Sequence, residues 1–150
     1  MRKIYIGCSL TQAPQEFRDK VEALKALLKK EYEVLDFIGL EKGTPEEVYR
    51  WDIQRCVAAC DIFVAICDYP AIGLGYEMAT ALEKYSKPTL ALVSDGVSVS
   101  RLVLGINHPM YTLKQYVTAE DAIACIREKE CMHFKPAAPA EICDSDVCAV

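Results

Sequence analysis

The chain has 150 residues, 52% of them hydrophobic, and a net charge of −5 at neutral pH. That length suits one domain with a packed core, and the acidic balance argues against a nucleic-acid backbone or an anionic membrane as the main partner. No apolar run approaches the roughly 20 residues that a spanning helix needs, and no secretory leader precedes the first strand pattern. A cytoplasmic protein is therefore the expectation.

Strand and helix patterns alternate along the chain. Continuous apolar or β-rich runs predict strands, and amphipathic spacing with helix-start signals predicts helices. The predicted strands are residues 3–8, 33–37, 62–67, 88–93 and 110–113. The predicted helices are the stretch after Pro14, residues 45–59, the segment after Glu77, residues 98–104 and residues 119–130. The clearest start is Thr-Pro-Glu-Glu at 44–47, which combines a capping threonine, a proline and a glutamate three residues after the cap.

This alternation predicts an α/β fold in which a parallel sheet is covered by helices on both faces. Five strands suggest a flavodoxin-like three-layer sandwich with strand order 2-1-3-4-5. Ligands then bind beyond the carboxyl ends of the strands, near the switch point between the first and third. The predicted domain is 1–131, and the Pro/Ala-rich and then acidic residues 132–150 predict a flexible C-terminal tail.

The eight cysteines of the chain are expected to be reduced, because no secretory leader is seen. Cys56 and Cys60 are one helical turn apart and could share a metal ion. However, the chain has no Cys-x-x-Cys pair, and His108 and His133 lie far away in sequence. Small buried thiols are the favoured interpretation, so neither a metal site nor a cofactor is predicted.

Residues 69–77 (Tyr-Pro-Ala-Ile-Gly-Leu-Gly-Tyr-Glu) join an apolar strand to a helical segment. Glu77 is predicted in the first turn of that helix, where free amides and the helix dipole favour a negative charge. Gly73 and Gly75 would let the backbone approach a ligand closely, so both are predicted to bind substrate. An ionised glutamate beside an opening would serve as a nucleophile. The alternative is a residue that only offsets the helix dipole.

Asp52 lies in the N-terminal half of the predicted 45–59 helix, over the ligand edge of the sheet, and could face Glu77. Such a pair divides nucleophile from general acid, as in retaining glycosidases. An exposed helix residue is the alternative for Asp52. Further candidates for substrate contact are the residues predicted at the same edge, which are Gly7, Cys8, Ser9, Leu10 and Asp68.

Three segments together resemble the nucleoside 2-deoxyribosyltransferase family. They are residues 5–9 (Tyr-Ile-Gly-Cys-Ser), Asp52 together with residues 59–61 (Ala-Cys-Asp), which begin seven residues after it, and residues 70–77 (Pro-Ala-Ile-Gly-Leu-Gly-Tyr-Glu). Within that family, the sequence of these segments is most similar to the 2-deoxynucleoside 5′-monophosphate N-hydrolase branch. The resemblance covers about residues 3–105, and it is specific around residues 52–93.

The resemblance implies cleavage of the N-glycosidic bond of a 2-deoxynucleoside or its 5′-monophosphate, without metal or organic cofactor. Glu77 matches the nucleophile that forms a covalent deoxyribosyl-enzyme, and Asp52 matches the acid that protonates the departing base. Tyr5 matches a pocket tyrosine that hydrogen-bonds near the nucleophile. The residues that match contacts to the sugar and its 5′ end are Cys8, Ser9 and Gly73.

The phosphate end of the site departs from the hydrolase pattern. Thr11 stands where an arginine usually follows the first strand, and Ala71 stands where the loop usually has a serine. A threonine cannot replace the bidentate bonds of an arginine, so the need for a 5′-phosphate stays open. Ser100 matches a serine that reaches the phosphate from a neighbouring subunit, and a homodimer or higher homo-oligomer is therefore expected.

Three functions stay open at this stage. Water would resolve the intermediate in a hydrolase, which is favoured, and a second base would do so in a transferase. A non-catalytic nucleotide-binding or sensor domain is the alternative from another class. The Gly-x-Gly of residues 73–75 follows the third strand rather than the first, which disfavours a dinucleotide site. Trp51 would stack on a base or pack between the second helix and a neighbouring subunit, Tyr76 is predicted in the core, and Asp61 is predicted to be structural.

Overall fold

The computed structural model, which describes residues 1–134, shows five parallel strands in one sheet with the order β2-β1-β3-β4-β5. The strands are β1 (Lys3–Cys8), β2 (Glu33–Leu35), β3 (Ile62–Ile66), β4 (Thr89–Ser94) and β5 (Tyr111–Tyr116). The predicted α/β class and strand order are confirmed. The register places Tyr5 opposite Phe63 and Gly7 opposite Ala65, so β1 and β3 end side by side at the switch point.

Within residues 1–134, five helices flank the sheet, and two of them continue as π-helical segments. The helices are α1 (Gln15–Leu28), α2 (Pro45–Tyr49) with a π-helical continuation (Arg50–Val57), α3 (Ile72–Ala79) with a π-helical continuation (Thr80–Lys84), α4 (Arg101–Leu104) and α5 (Ala119–Phe134). The predicted capping box is present, because Thr44 Oγ1 accepts from the amide of Glu47 and Glu47 Oε2 accepts from the amide of Thr44.

The two faces of the sheet hold separate cores. Side chains of α1 and α5 pack on one face with Ile4 and Ile6, while α3 and the two π-helical segments pack on the other with Tyr5 and Phe63. Successive residues of a strand point to opposite faces. The alternation along β1 therefore places Tyr5 and Gly7 on the α2/α3 face, where Asp52 and Glu77 are also carried.

Several boundaries differ from the sequence predictions. β2 ends at Leu35, two residues early, and β5 runs on to Tyr116, where it still pairs with β4. α5 continues to Phe134, whose ring lies 4.0 Å under the guanidinium of Arg2. The first three residues of the predicted tail are thus helical, and the rest of it, with Cys143 and Cys148, lies outside the described residues.

No helix within residues 1–134 is both long enough and apolar enough to cross a membrane.

Candidate active site

Glu77 of α3 and Tyr5 of β1 meet over Gly7. The hydroxyl of Tyr5 donates a hydrogen bond of 2.9 Å to Oε1 of Glu77. A Cβ atom on Gly7 would lie 2.8 Å from Oε2 of Glu77 and 2.9 Å from Cδ1 of Leu74, which is closer than Cβ atoms approach other atoms. The missing side chain of Gly7 therefore makes the space that the Glu77 carboxylate occupies.

Glu77 lies in the second turn of α3, so its predicted position in the first turn is wrong. Pro70 and Ala71 precede the helix, Ala71 is its extended N-cap, and the helix begins at Ile72. Leu74 and Met78, one turn apart, bury their side chains and hold this stretch helical. Because the helix dipole acts mainly within the first turn, charge compensation does not account for Glu77.

Gly73 and Gly75 belong to α3 rather than to a loop. Both are exposed, and nothing stands within 4 Å of a Cβ built on either. Because they are two residues apart, they lie on different sides of the helix. Their predicted contact with substrate stays a prediction.

Asp52 lies in the π-helical segment after α2, half-buried rather than exposed. Its carboxylate accepts the amide of Ile38, while its Oδ1 is buried and has no hydrogen-bond partner among the described residues. Burial raises the pKa of Asp52, and the bond from Ile38 opposes that rise. An unsatisfied buried carboxyl oxygen is suited to a proton or to a donor on a ligand.

The charge of Asp52 acts on Glu77. Burial raises the pKa of Glu77 to about 7; the hydrogen bond from Tyr5 opposes the rise, and the charge of Asp52 adds to it. Burial, and then the charge of Glu77, also raises the pKa of Tyr5, so its hydroxyl stays protonated and donates. A pair of carboxyl groups can supply a nucleophile and an acid when one is ionised and the other is protonated.

A groove of about 420 Å³ lies between α1 and the loop that follows β2. It begins at Cys8. Burial raises the pKa of the Cys8 thiol to about 11, and the charge of Glu77 adds to this rise. Its lining includes Cys8, Leu10, Gln15, Arg18, Phe37 and Glu41. Ser9 is fully buried, and its Oγ has no hydrogen-bond partner within residues 1–134.

Arg18 holds the loop after β1, a role that the sequence did not indicate. Its Nη1 donates to the carbonyls of Leu10 at 2.7 Å and Ala13 at 3.0 Å, and its Nη2 donates to Oε1 of Gln15 at 2.7 Å. An arginine in the first turns of an amphipathic helix ordinarily looks like a solvated side chain, so no sequence signal distinguished it.

Asp68 does not join the Glu77 cluster. Its Oδ1 accepts the amide of Ser94 at 2.7 Å, and its Oδ2 accepts the hydroxyls of Ser94 and, at 2.7 Å, of Tyr116. It lines a separate cavity of about 680 Å³, whose other walls include α1 and the start of α5. The carboxylate thus connects the ends of β3, β4 and β5.

Ser100 also lies apart from Glu77 in the protomer. Its Oγ caps α4 by accepting the amide of Val103, and it lines an apolar cavity of about 460 Å³ between α3 and residues 98–106. The structure therefore groups Glu77, Asp52 and Tyr5 around Gly7, with Cys8 at the edge of the group.

The remaining sequence candidates have local roles. The indole of Trp51 donates to the carbonyl of Asp36 at 2.9 Å, so Trp51 packs within its own chain. Tyr76 is 53% exposed, and its predicted place in the core is wrong because α3 turns Leu74 and Met78 inward instead. Asp61 is structural as predicted, since its Oδ2 accepts the amide of Lys3 at 2.8 Å.

The thiols of Cys56 and Cys60 are buried and contact backbone carbonyl oxygens. Among residues 1–134, no group of three or more His, Cys, Asp or Glu side chains stands close enough to hold a metal ion.

No family model matches the chain. A protein of Thermofilum pendens named "Putative 2′-deoxynucleoside 5′-phosphate N-hydrolase 1" is 32% identical over 130 residues, which cover 81% of this chain and 90% of that relative. The solved structure of the Clostridium botulinum CMP N-glycosidase superposes with a TM-score of 0.62 over 84% of this chain and 99% of that chain. Their sequence identity is 19%, so this second likeness concerns the fold.

Proposed function

This chain belongs to the nucleoside 2-deoxyribosyltransferase family and is an N-glycosidase, and we propose that it hydrolyses 2-deoxynucleosides or their 5′-monophosphates through a covalent deoxyribosyl-glutamate. The observation that carries the proposal is the hydrogen bond from Tyr5 to Glu77 beside the half-buried Asp52. It supports the roles proposed for Glu77 as nucleophile, Tyr5 as the group that orients it and Asp52 as acid, because the three lie on one side of the sheet, at the switch point where such folds bind ligands.

The first step breaks the bond from the anomeric carbon to the base. A carboxylate oxygen of Glu77 attacks that carbon, and the electron pair of the broken bond goes to the base nitrogen. Asp52 gives its proton to the departing base, which leaves as a neutral molecule. The product of this step is an ester between the sugar and Glu77.

Water completes the reaction in the second step. Asp52, now a carboxylate, takes a proton from water as the oxygen attacks the anomeric carbon. The ester bond breaks, and Glu77 is released as a carboxylate. Because the same carbon is attacked twice from opposite sides, the configuration of the sugar is retained.

The nucleobase belongs in the groove that begins at Cys8. Asp52, as the acid, must lie beside the leaving nitrogen of the base. Its carboxylate accepts a hydrogen bond from the amide of Ile38. The residues that flank Ile38 include Phe37 and Glu41, which line the groove. A base placed there would contact an aromatic ring and polar side chains, as small-molecule sites commonly provide.

The same proposal includes a homodimer. Leu102, which lines the apolar cavity together with Ser100, is 81% exposed, and Ile72, which follows Ala71 of the same lining, is 96% exposed. Contiguous exposed apolar surface marks an interaction site. Sedimentation of the full chain tests the assembly, and a monomer at all concentrations would contradict it.

A cytoplasmic location is also part of the proposal. The cysteines within residues 1–134 all carry free thiols, as a reducing compartment maintains them. Fractionation of the native cells tests this location.

The activity itself is tested with a panel of 2-deoxynucleosides and their 5′-monophosphates, by following free base. Base release without an acceptor supports hydrolysis. Exchange of the base that occurs only when a second base is added would instead support the transferase reaction. Saturable binding of the substrate without turnover would instead support the sensor function. Rapid quenching followed by mass analysis of the peptides tests the covalent intermediate. We expect the added mass of a deoxyribosyl group on the peptide that contains Glu77.

A further inference from the structure

The loop after β2 carries the amide that contacts the proposed acid. Residues 36–43 lead from the end of β2 to the capping Thr44 of α2. Within this loop the amide of Ile38 donates to the carboxyl group of Asp52, whose Oδ1 is left buried and without a partner among residues 1–134. Oδ1 is therefore free to hold a proton, and the position of Ile38 influences how the carboxyl group is oriented.

The side chain of Asp36 holds the start of this loop against α1. Its Oδ2 accepts a hydrogen bond of 2.9 Å from Nζ of Lys29, and its Oδ1 lies 3.5 Å from Nζ of Lys25. The side chain of Lys25 is only 3% exposed, and its other carboxylate partner is Glu22 at 2.9 Å. Its Nζ also lies 5.2 Å from the centre of the Phe37 ring. Because a buried ammonium group needs anionic partners, the contact with Asp36 resists displacement.

The backbone carbonyl of Asp36 holds the same point against the segment that carries the acid. It accepts a hydrogen bond of 2.9 Å from Nε1 of Trp51 and one of 3.5 Å from Sγ of Cys56. Trp51 directly precedes Asp52, and Ile38 follows Asp36 by two residues. The indole bond and the bond from Ile38 therefore join the same two short stretches of chain, so loss of the first should loosen the second.

We infer that Asp36 is a positioning residue that holds the amide of Ile38 against Asp52. It does so through the lysines of α1 and the indole of Trp51. The inference rests on the proposed function, since it concerns the acid of that reaction. A general acid must lie within hydrogen-bond reach of the atom that receives its proton. If the loop were released, Asp52 would still be present but would no longer be aligned with the departing base.

Trp51→Phe tests this role. It removes the indole N–H that binds the carbonyl of Asp36 and keeps an aromatic ring. Tyr111→Phe is the matched control, because the hydroxyl of Tyr111 donates to the carbonyl of Val103 at 3.0 Å and β5 forms the other end of the sheet from β2. Each variant loses one aromatic donor to a backbone carbonyl, so a general effect of that loss would appear in both.

The measurement is kcat/KM for base release across a series of 2-deoxynucleosides whose bases differ in how readily they leave without a proton. A misaligned acid slows mainly the substrates whose bases need that proton. Trp51→Phe should therefore lower kcat/KM by about tenfold for the poorest leaving base and by less than about twofold for the best. Tyr111→Phe should stay within about twofold of the parent across the series.

A double variant separates positioning from an independent effect. Asp52→Asn removes the proton itself, so a second change that acts only through Asp52 adds nothing to the loss. Trp51→Phe combined with Asp52→Asn should therefore match Asp52→Asn alone within about twofold. Asp36→Ala, which removes the contacts to α1 at an exposed position, should reproduce the pattern of Trp51→Phe.

Hydrogen exchange of the Ile38 amide tests the contact without any substrate. The exchange should quicken by at least about tenfold in Trp51→Phe and in Asp36→Ala, and stay unchanged in Tyr111→Phe. Unchanged exchange in the first two variants, an equal loss of kcat/KM on every substrate, or additive losses in the double variant would overturn the inference and leave the proposed hydrolysis intact. No base release by the parent chain would overturn the proposed function, and with it the role of Asp36 toward an acid.

Discussion

Two carboxylates near the carboxyl edge of the sheet, Glu77 and Asp68, are each hydrogen-bonded to a tyrosine, yet their surroundings are opposite. Asp68 accepts three hydrogen bonds from Ser94 and Tyr116. Glu77 accepts one, from Tyr5, within the described residues, and its neighbour Asp52 is another acid.

The comparison shows what separates a structural carboxylate from a reactive one. Three donors satisfy the charge of Asp68 and connect three strands, so its carboxylate is committed to the fold. A single donor and a buried setting leave Glu77 with a raised pKa and an oxygen free to react. Each prediction below tests whether this division of roles holds.

The largest effect is expected from replacing the nucleophile. Glu77→Gln keeps the size of the side chain but removes its charge, so base release should fall by at least about 1000-fold. Steady-state assays of free base measure this, with Asp68→Asn as the matched amide variant, expected within about fivefold of the parent. Activity of Glu77→Gln within tenfold of the parent would remove the nucleophile assignment.

The stability of the protein should depend more on Asp68 than on Glu77. Asp68→Ala leaves the amide and hydroxyl of Ser94 and the hydroxyl of Tyr116 without their acceptor, so the free energy of unfolding should drop by about 3 kcal/mol. Urea denaturation followed by circular dichroism measures the drop. Unchanged stability together with lost base release would instead make Asp68 a reactive group.

The protonation of Glu77 should appear in the stability of the protein as a function of pH. Its folded-state pKa, about 7, lies above its ordinary value of 4.5. The favourable contribution of Glu77 is therefore complete below pH 4.5 and lost as the pH rises through 7. Glu77→Gln should unfold like the parent at pH 4 and be more stable by about 2 to 3 kcal/mol at pH 8.

Denaturation curves at the two pH values measure this difference. An equal difference at pH 4 and pH 8 would contradict the raised pKa. Asp68→Asn serves as the comparison, since it should show a loss rather than a gain at pH 8.

A smaller effect is expected from the tyrosine that contacts Glu77. Tyr5→Phe removes the hydrogen bond that holds the pKa of Glu77 down, so the acidic limb of the pH–rate profile should move to higher pH. At pH 7, kcat/KM should fall by about tenfold and recover partly as the pH rises. Tyr116→Phe, which touches Asp68 instead, should leave the limb in place; a shift of the same size there would point to a general effect.

The sequence predicted the architecture well because its signals are local. Alternating apolar runs and helix starts, such as Thr44 with its capping box, depend on residues close together in the chain, and the structure confirms both. The resemblance also selected Glu77, Asp52 and Tyr5, which the structure brings together on one face. Their catalytic roles stay predictions.

The errors came from interactions that no short window of sequence contains. Glu77 was assigned to a first turn because two glycines look like a loop, whereas the burial of Leu74 and Met78 makes that stretch helical. The hydrogen-bond partners of Asp68 lie 26 and 48 residues further along the chain, so no local pattern indicates them, and its predicted contact with substrate stays a prediction.

The sequence by itself determined the order of strands and helices, and with it the edge of the sheet where a ligand binds, because periodic burial and capping are encoded within a few residues. Only the tertiary structure decided the state of each carboxylate. The pKa of Glu77 depends on its burial between α3 and β1, on the hydroxyl of Tyr5 and on the charge of Asp52, which come from separate elements. Burial and charge act through space, so the chemical character of Glu77 exists only once the chain has folded.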